Sequence, residues 1–209
     1  MFRAMEKLSR GEHTFIICIG DSITEQNFHL QGKLNYVGQF TEKLMELYNR
    51  KSLILNAGKS GDTTWGVLGR LGRDVLNFQP DLVIVMLGIN DSERGPEQLA
   101  EFKSNLVEII RRITDSGSEV LLLTQNMLDY HIIESALIAR TSYPSYIAAI
   151  REVAEDGKIS LCDIYREWEK HCKENTNTHL MLMDDSIHPN PRGHTLMAKV
   201  LFNYLGLNN

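Results

Sequence analysis

Five short apolar runs, at residues 15–19, 53–56, 82–87, 120–124 and 159–162, recur along the chain at intervals that leave room for a helix between most of them. Each has the length of a strand and is nearly continuous in apolar character, as strands covered on both faces are. The intervening stretches change period. Residues 36–48 place Val37, Phe40, Leu44, Leu47 and Tyr48 at helical spacing, and residues 96–114 do the same with Leu99, Phe102, Leu106, Ile109, Ile110 and Ile113. Pro96 suits a first helical turn and Gly117 a stop after Ser116, while 144–155 and 190–205 supply further helices, the last ending at Gly206. Strand alternating with helix predicts an α/β fold, five buried strands in a mostly parallel sheet. With no repeat, low-complexity tract or linker to divide them, the 209 residues 1–209 are expected to form a single domain.

Composition narrows the function classes. The net charge of −5 opposes a nucleic-acid surface, which needs clustered Lys and Arg. Three cysteines, Cys18, Cys162 and Cys172, are far apart and odd in number, so they read as free thiols in a reducing compartment. Residues 1–13 carry scattered charges and no apolar core, unlike a secretory signal, and the apolar runs are too short for stable membrane insertion. A cytoplasmic location is expected, with exposed helix faces leaving room for a homo-oligomer.

Ligands of open α/β sheets bind at the carboxyl ends of the strands. Gly20-Asp21-Ser22 follows the first run, Ser60-Gly61-Asp62-Thr63 the second and Gly88-Ile89-Asn90-Asp91 the third, while Asp185-Ser186-Ile187-His188-Pro189 precedes the last helix. Taken alone, Asp21 or Ser22 simply caps a helix. A serine nucleophile needs a base, and His188 is a suitable one because imidazole titrates near neutrality. The base in turn needs a carboxylate to fix its tautomer. Asp185, three residues upstream, reaches it in a single turn; Asp184 is adjacent, but a regular turn points it elsewhere. The N–H groups of Ser22 and Gly61 and the side-chain amide of Asn90 are candidate oxyanion donors, against the ordinary readings of Gly61 as a tight turn and Asn90 as a cap. Seven histidines form neither H-x-x-x-H nor H-E-x-x-H, so no metal is expected, and His194 is read as capping or packing against the last helix. Neither G-x-G-x-x-G nor a P-loop lysine supports the rival reading as a non-catalytic binding module.

In that order, the four segments resemble the SGNH hydrolases, also called the GDSL esterase and lipase superfamily. The resemblance implies a flavodoxin-like three-layer sandwich with a five-stranded parallel sheet. It also implies Ser22 as nucleophile, His188 as base, Asp185 as its orienting acid, and Ser22, Gly61 and Asn90 as the oxyanion hole. No cofactor is implied. The chain is most similar to intracellular members that deacetylate sugars, which points to a small-molecule or oligosaccharide ester as substrate; lysophospholipids and acyl thioesters are the alternatives. Asp21 and Ile187, beside the triad, and Met127 and Tyr130, in the segment 126–143 that also holds His131, are expected to contact substrate.

Overall fold

The computed structural model describes residues 2–128, 135–174 and 177–208. Five strands, β1 (Thr14–Gly20), β2 (Ser52–Gly58), β3 (Leu82–Met86), β4 (Glu119–Leu123) and β5 (Ser160–Cys162), form one all-parallel sheet in the order β2-β1-β3-β4-β5. Register follows the apolar pattern: Ile16 lies opposite Leu82 and Val83 opposite Val120, so the central strands bury both faces.

The expectation of five buried strands holds for the centre and fails at both edges, where only Cys162 of β5 is buried. β2 is half-buried, and Leu53 is 63% exposed. An apolar run reveals a strand but not its place in the sheet, and an edge strand is covered less completely.

Helices α1 (Arg3–Ser9), α2 (Tyr36–Tyr48), α3 (Thr64–Asp74), α4 (Leu99–Asp115), α5 (Ser135–Ile138), α6 (Tyr143–Asp156), α7 (Ile164–Glu174), α8 (Thr178–Leu182) and α9 (Pro191–Leu205) flank the sheet. The predicted stripe on α4 is the buried one: Phe102, Leu106, Ile109, Ile110 and Ile113 all face inward. Pro96 opens a separate short turn, Pro96–Gln98, and α4 itself starts at Leu99. The N-terminal segment, read as lacking an apolar core, nevertheless forms α1. Its Ala4, Met5 and Leu8 are buried, and the Glu119 carboxylate accepts hydrogen bonds from the Arg3 and Ala4 N–H groups. Those donors have no partner inside the helix, so a remote acid caps an element too short to signal itself. Among the described residues no helix is long and apolar enough to cross a membrane.

Two asparagines set the starts of the helices nearest the strand ends. Asn35 caps α2 by accepting from Gly38 N–H, and Asn190 caps α9 by accepting from the Arg192 and Gly193 N–H groups.

Candidate active site

The chain leaves β1 through Gly20, where a Cβ would lie 2.5 Å from the Met86 carbonyl oxygen and 2.3 Å from Thr24 Oγ1. Only glycine allows the strand end to approach β3 and the following turn so closely. Ser22, two residues on, is 8% exposed, and its Oγ lies 3.0 Å from His188 Nε2. On the ring's other side, His188 Nδ1 lies 2.8 Å from Asp185 Oδ2. With an ionised carboxylate there, Nδ1 carries the proton, which leaves Nε2 free to accept from the Ser22 hydroxyl. Burial alone would raise the Asp185 carboxyl; hydrogen bonds from the His188 ring, the His188 N–H and the Ile187 N–H outweigh it and hold the group well below the ordinary carboxylate range. The neighbouring Asp184 points away from His188, to His29 Nδ1 at 2.8 Å.

The loops from the other strand ends are linked through Asn90. Gly61 adopts φ +74° in the turn closed by Asp62 N–H to the Lys59 carbonyl, and a Cβ there would meet nothing within 4 Å. Asn90 Nδ2 donates to the Asp62 carbonyl at 2.9 Å, while its Oδ1 accepts from Arg140 Nη2 at 3.3 Å. The second N–H of that amide has only a long contact, 3.5 Å, with Asp21 Oδ2. Gly58, by contrast, does not have a positive φ. It is needed for close approach, since a Cβ would sit 2.3 Å from Glu25 N.

Arg70 ties these loops together. Its buried guanidinium pairs with Asp62 at 2.6 Å and donates to the Ala57 and Gly20 carbonyls, so one side chain clasps the ends of β1 and β2 to the Gly61 turn. A planar cation with five donors can serve all three at once. Nothing in the sequence around Arg70 announces this.

Asp21 is a correction. Expected to contact substrate, it is wholly buried. Its Oδ1 accepts from Ile23 N–H, and its Oδ2 accepts from Gln125 Nε2 at 2.8 Å. Burial pushes its carboxyl up to about 6, against the lowering effect of those two bonds. It braces the site from beneath. Gln125 also accepts from Ile89 N–H at 2.8 Å, fixing the start of the Asn90 loop. Gln125 follows β4, where the rule of reading strand ends would have found it. Met127 and Ile187 are half-buried against the core, and Tyr130 and His131 lie outside the described residues.

Two further histidines face the site. His29 lies flat on the His188 ring, with centroids 3.9 Å apart and planes 13° apart. His194, expected to cap or pack against the last helix, sits within α9 and accepts instead from Tyr36 N–H at the start of α2; burial drives its imidazole down to about 3, so it stays neutral. His29, Asp185 and His188 bring three potential metal ligands within 4.8 Å of one another. Their existing bonds already use the Nδ1 atoms of both rings and the Asp185 carboxylate, and a cation there would have to break the pair that orients His188. A cavity of about 780 Å³ lies at the opposite end of the sheet, beside Ser118, Glu119 and Ser160, away from every strand carboxyl end.

Comparison with known proteins identifies the family. The chain is 26% identical to an arylesterase of Vibrio mimicus, over 88% of this chain and 84% of that one. It is 25% identical to an acetylxylan esterase of Geobacillus stearothermophilus over 96% of both. It is also 25% identical to a thioesterase/protease/lysophospholipase of Escherichia coli, over 88% of this chain and 79% of that one. Among solved structures, an α/β hydrolase enzyme from the metagenome of Lake Arreo superposes with a TM-score of 0.78 at 25% identity, covering 95% of this chain and 97% of the other. Residues 18–196 match the model of the GDSL-like lipase/acylhydrolase family. The chain belongs to that family and is a carboxylic ester hydrolase of the GDSL type.

Proposed function

We propose that the chain hydrolyses short-chain esters, acetyl groups on a carbohydrate in particular, through an acyl-Ser22 intermediate. The observation that carries this reading is the unbroken line from Ser22 Oγ to His188 Nε2, 3.0 Å, and from His188 Nδ1 to Asp185 Oδ2, 2.8 Å. The first distance is within the reach of a general base. As Ser22 Oγ attacks the ester carbonyl carbon, its proton passes to His188 Nε2, and Asp185 stabilises the imidazolium. The carbonyl oxygen becomes an oxyanion, held by the N–H groups of Ser22 and Gly61 and by the Asn90 amide. Arg140 on Asn90 Oδ1 favours the amide orientation that leaves an N–H for this purpose. Collapse breaks the bond to the leaving oxygen, which takes the proton from His188. Water then repeats the sequence on the acyl group and restores Ser22.

An acetylated sugar is favoured by the Geobacillus stearothermophilus relative, an acetylxylan esterase that the chain matches over nearly its whole length. The Escherichia coli relative favours a second reading, thioester or lysophospholipid cleavage with the same triad. Half-buried Met127 and Ile187 are part of the proposed substrate wall. The three cysteines are unpaired, which supports a reducing, cytoplasmic setting.

Ser22→Ala tests the chemistry. It is expected to abolish release of 4-nitrophenol from 4-nitrophenyl acetate without altering the melting curve, and retained turnover would overturn the assignment. Ranking acetylated xylo-oligosaccharides, lysophospholipids and acyl thioesters by kcat/KM tests the substrate. Acetylated sugars should lead.

A further inference from the structure

The short turn Phe28–Leu30 brings a second histidine–aspartate pair against the triad. His29 is only 9% exposed, and its Nδ1 bonds to Asp184 Oδ2 at 2.8 Å. Its ring is stacked on that of His188, and its Nδ1 also lies 3.7 Å from Asp185 Oδ2, so both rings turn the same edge toward adjacent carboxylates. The Phe28 ring contacts His29 in turn, centroid to centroid at 4.0 Å. From this arrangement we infer that His29 is a positioning residue for acyl transfer, a flat wall that fixes the plane of the His188 ring while Asp184 fixes His29. The inference rests on the reading of Ser22, His188 and Asp185 given above.

The need for such a wall follows from the two-step chemistry. In the resting site His188 is held at Nδ1 by Asp185, at Nε2 by Ser22 and on one face by His29. Once Ser22 Oγ carries the acyl group it has no proton to share, and that anchor is lost for the lifetime of the intermediate. The Ile187 and His188 N–H groups fix Asp185 Oδ1, so the carboxylate holds the ring through a single contact, Oδ2 to Nδ1. A ring held only there can swing about its Nδ1 contact. In deacylation a water proton must pass to Nε2 as the water oxygen attacks the acyl carbon and the bond to Ser22 Oγ breaks, with the proton returned to Oγ. A displacement of about 1 Å in such a constellation can cost on the order of 10²-fold in rate.

The test compares His29→Ala, His29→Phe and Asp184→Ala in the full chain, with Ser22→Ala in parallel and 4-nitrophenyl acetate as substrate. His29→Ala should lower kcat about tenfold, with KM falling alongside it so that kcat/KM changes little, and should accumulate acetylated protein, seen by intact mass after a rapid acid quench. His29→Phe retains the flat face and should recover most of the rate; Asp184→Ala should fall between the two. Wild-type kcat in His29→Ala overturns the inference, as does a His29→Phe enzyme no faster than His29→Ala. Should His29→Ala melt early, His29→Leu, buried but not flat, replaces it in the comparison with His29→Phe. An active Ser22→Ala would sink the underlying triad, whereas an inactive Ser22→Ala beside an unimpaired His29→Ala sinks only the role given to His29.

Discussion

Replacing Asp21 by Asn should make the protein more resistant to unfolding at neutral pH than at acid pH, relative to wild type. Asp21 is completely buried beneath Asn90 and Gln125, and burial raises its carboxyl from 3.8 to about 6. Below pH 4 the group is protonated folded or unfolded and contributes nothing to the difference. As pH rises from about 4 to about 6 the unfolded chain has released the proton that the folded chain still holds, so folding loses stability; above that window the loss is complete. At about 1.36 kcal/mol per pH unit, the interval corresponds to about 3 kcal/mol. Asn carries no charge at any pH and escapes this loss. Its NH₂ must face either the Ile23 N–H or the Gln125 amide, two donors, so a constant penalty of about 1–3 kcal/mol offsets part of the gain. Urea unfolding followed by circular dichroism at a series of pH values separates the two effects. Subtracting wild type from variant cancels every other titrating group, leaving a difference that should climb by about 3 kcal/mol between pH 4 and 7. A difference that stays flat across that window would refute the claim that Asp21 is held against its own ionisation.

Two other changes probe the loops around Ser22. Asn90→Ala should lower kcat by about 10²–10³ while leaving KM nearly unchanged, because its donor serves an oxyanion absent from the ground state; steady-state kinetics that moved KM alone would make Asn90 a substrate-binding residue instead. Gly58→Ala should lower the melting temperature, with a loss of about 1–3 kcal/mol, since the new Cβ would meet backbone at Glu25 N, 2.3 Å, and Thr24 C, 2.6 Å. A Gly58→Ala protein that melts with wild type would show that the β2 end can retreat from the turn after Ser22.

What could be read from the sequence was whatever local pattern fixes. Ile16–Ile19 and Leu82–Leu87 declare buried strands because both faces are covered, and the Asp185-x-x-His188 spacing brings the acid to Nδ1 through a single turn closed by backbone hydrogen bonds. α3 was missed because Gly66, Gly69 and Gly72 give it low helical propensity; Thr63 and the Asp91 carboxylate hold its first turn from outside. Asp21 was misread for a different reason. Adjacent residues leaving a strand point in opposite directions, so the neighbour of an accessible serine is turned down into the molecule. The parts played by His29, Asp184 and Arg70 depend on meetings through space, such as the 155 positions between His29 and Asp184, that no local spacing encodes.

The topology explains why Ser22 and His188, 166 positions apart, meet at hydrogen-bond distance. After β1 the chain places β2 on one side and then crosses back to place β3 on the other, so the loops part around the end of β1 and open a crevice where Ser22 emerges. The base is brought to the same place by a matching device. Asn35, the cap of α2, donates from Nδ2 to the Thr24 carbonyl at 2.6 Å and thereby ties that helix to the turn holding Ser22. Asn190, the cap of α9, donates to the Met181 and Met183 carbonyls, while Asp184 N–H bonds to the His188 carbonyl and Met183 bridges to Pro189, closing the loop that holds His188. The two helices pack together, and Tyr36 N–H donates to His194 Nδ1 across their seam. Because His194 stays neutral far below physiological pH, that seam can accept the bond throughout the range in which His188 must work as a base. The distance between nucleophile and base is therefore set by two capped helix starts and the seam joining them, with neither side chain having to reach.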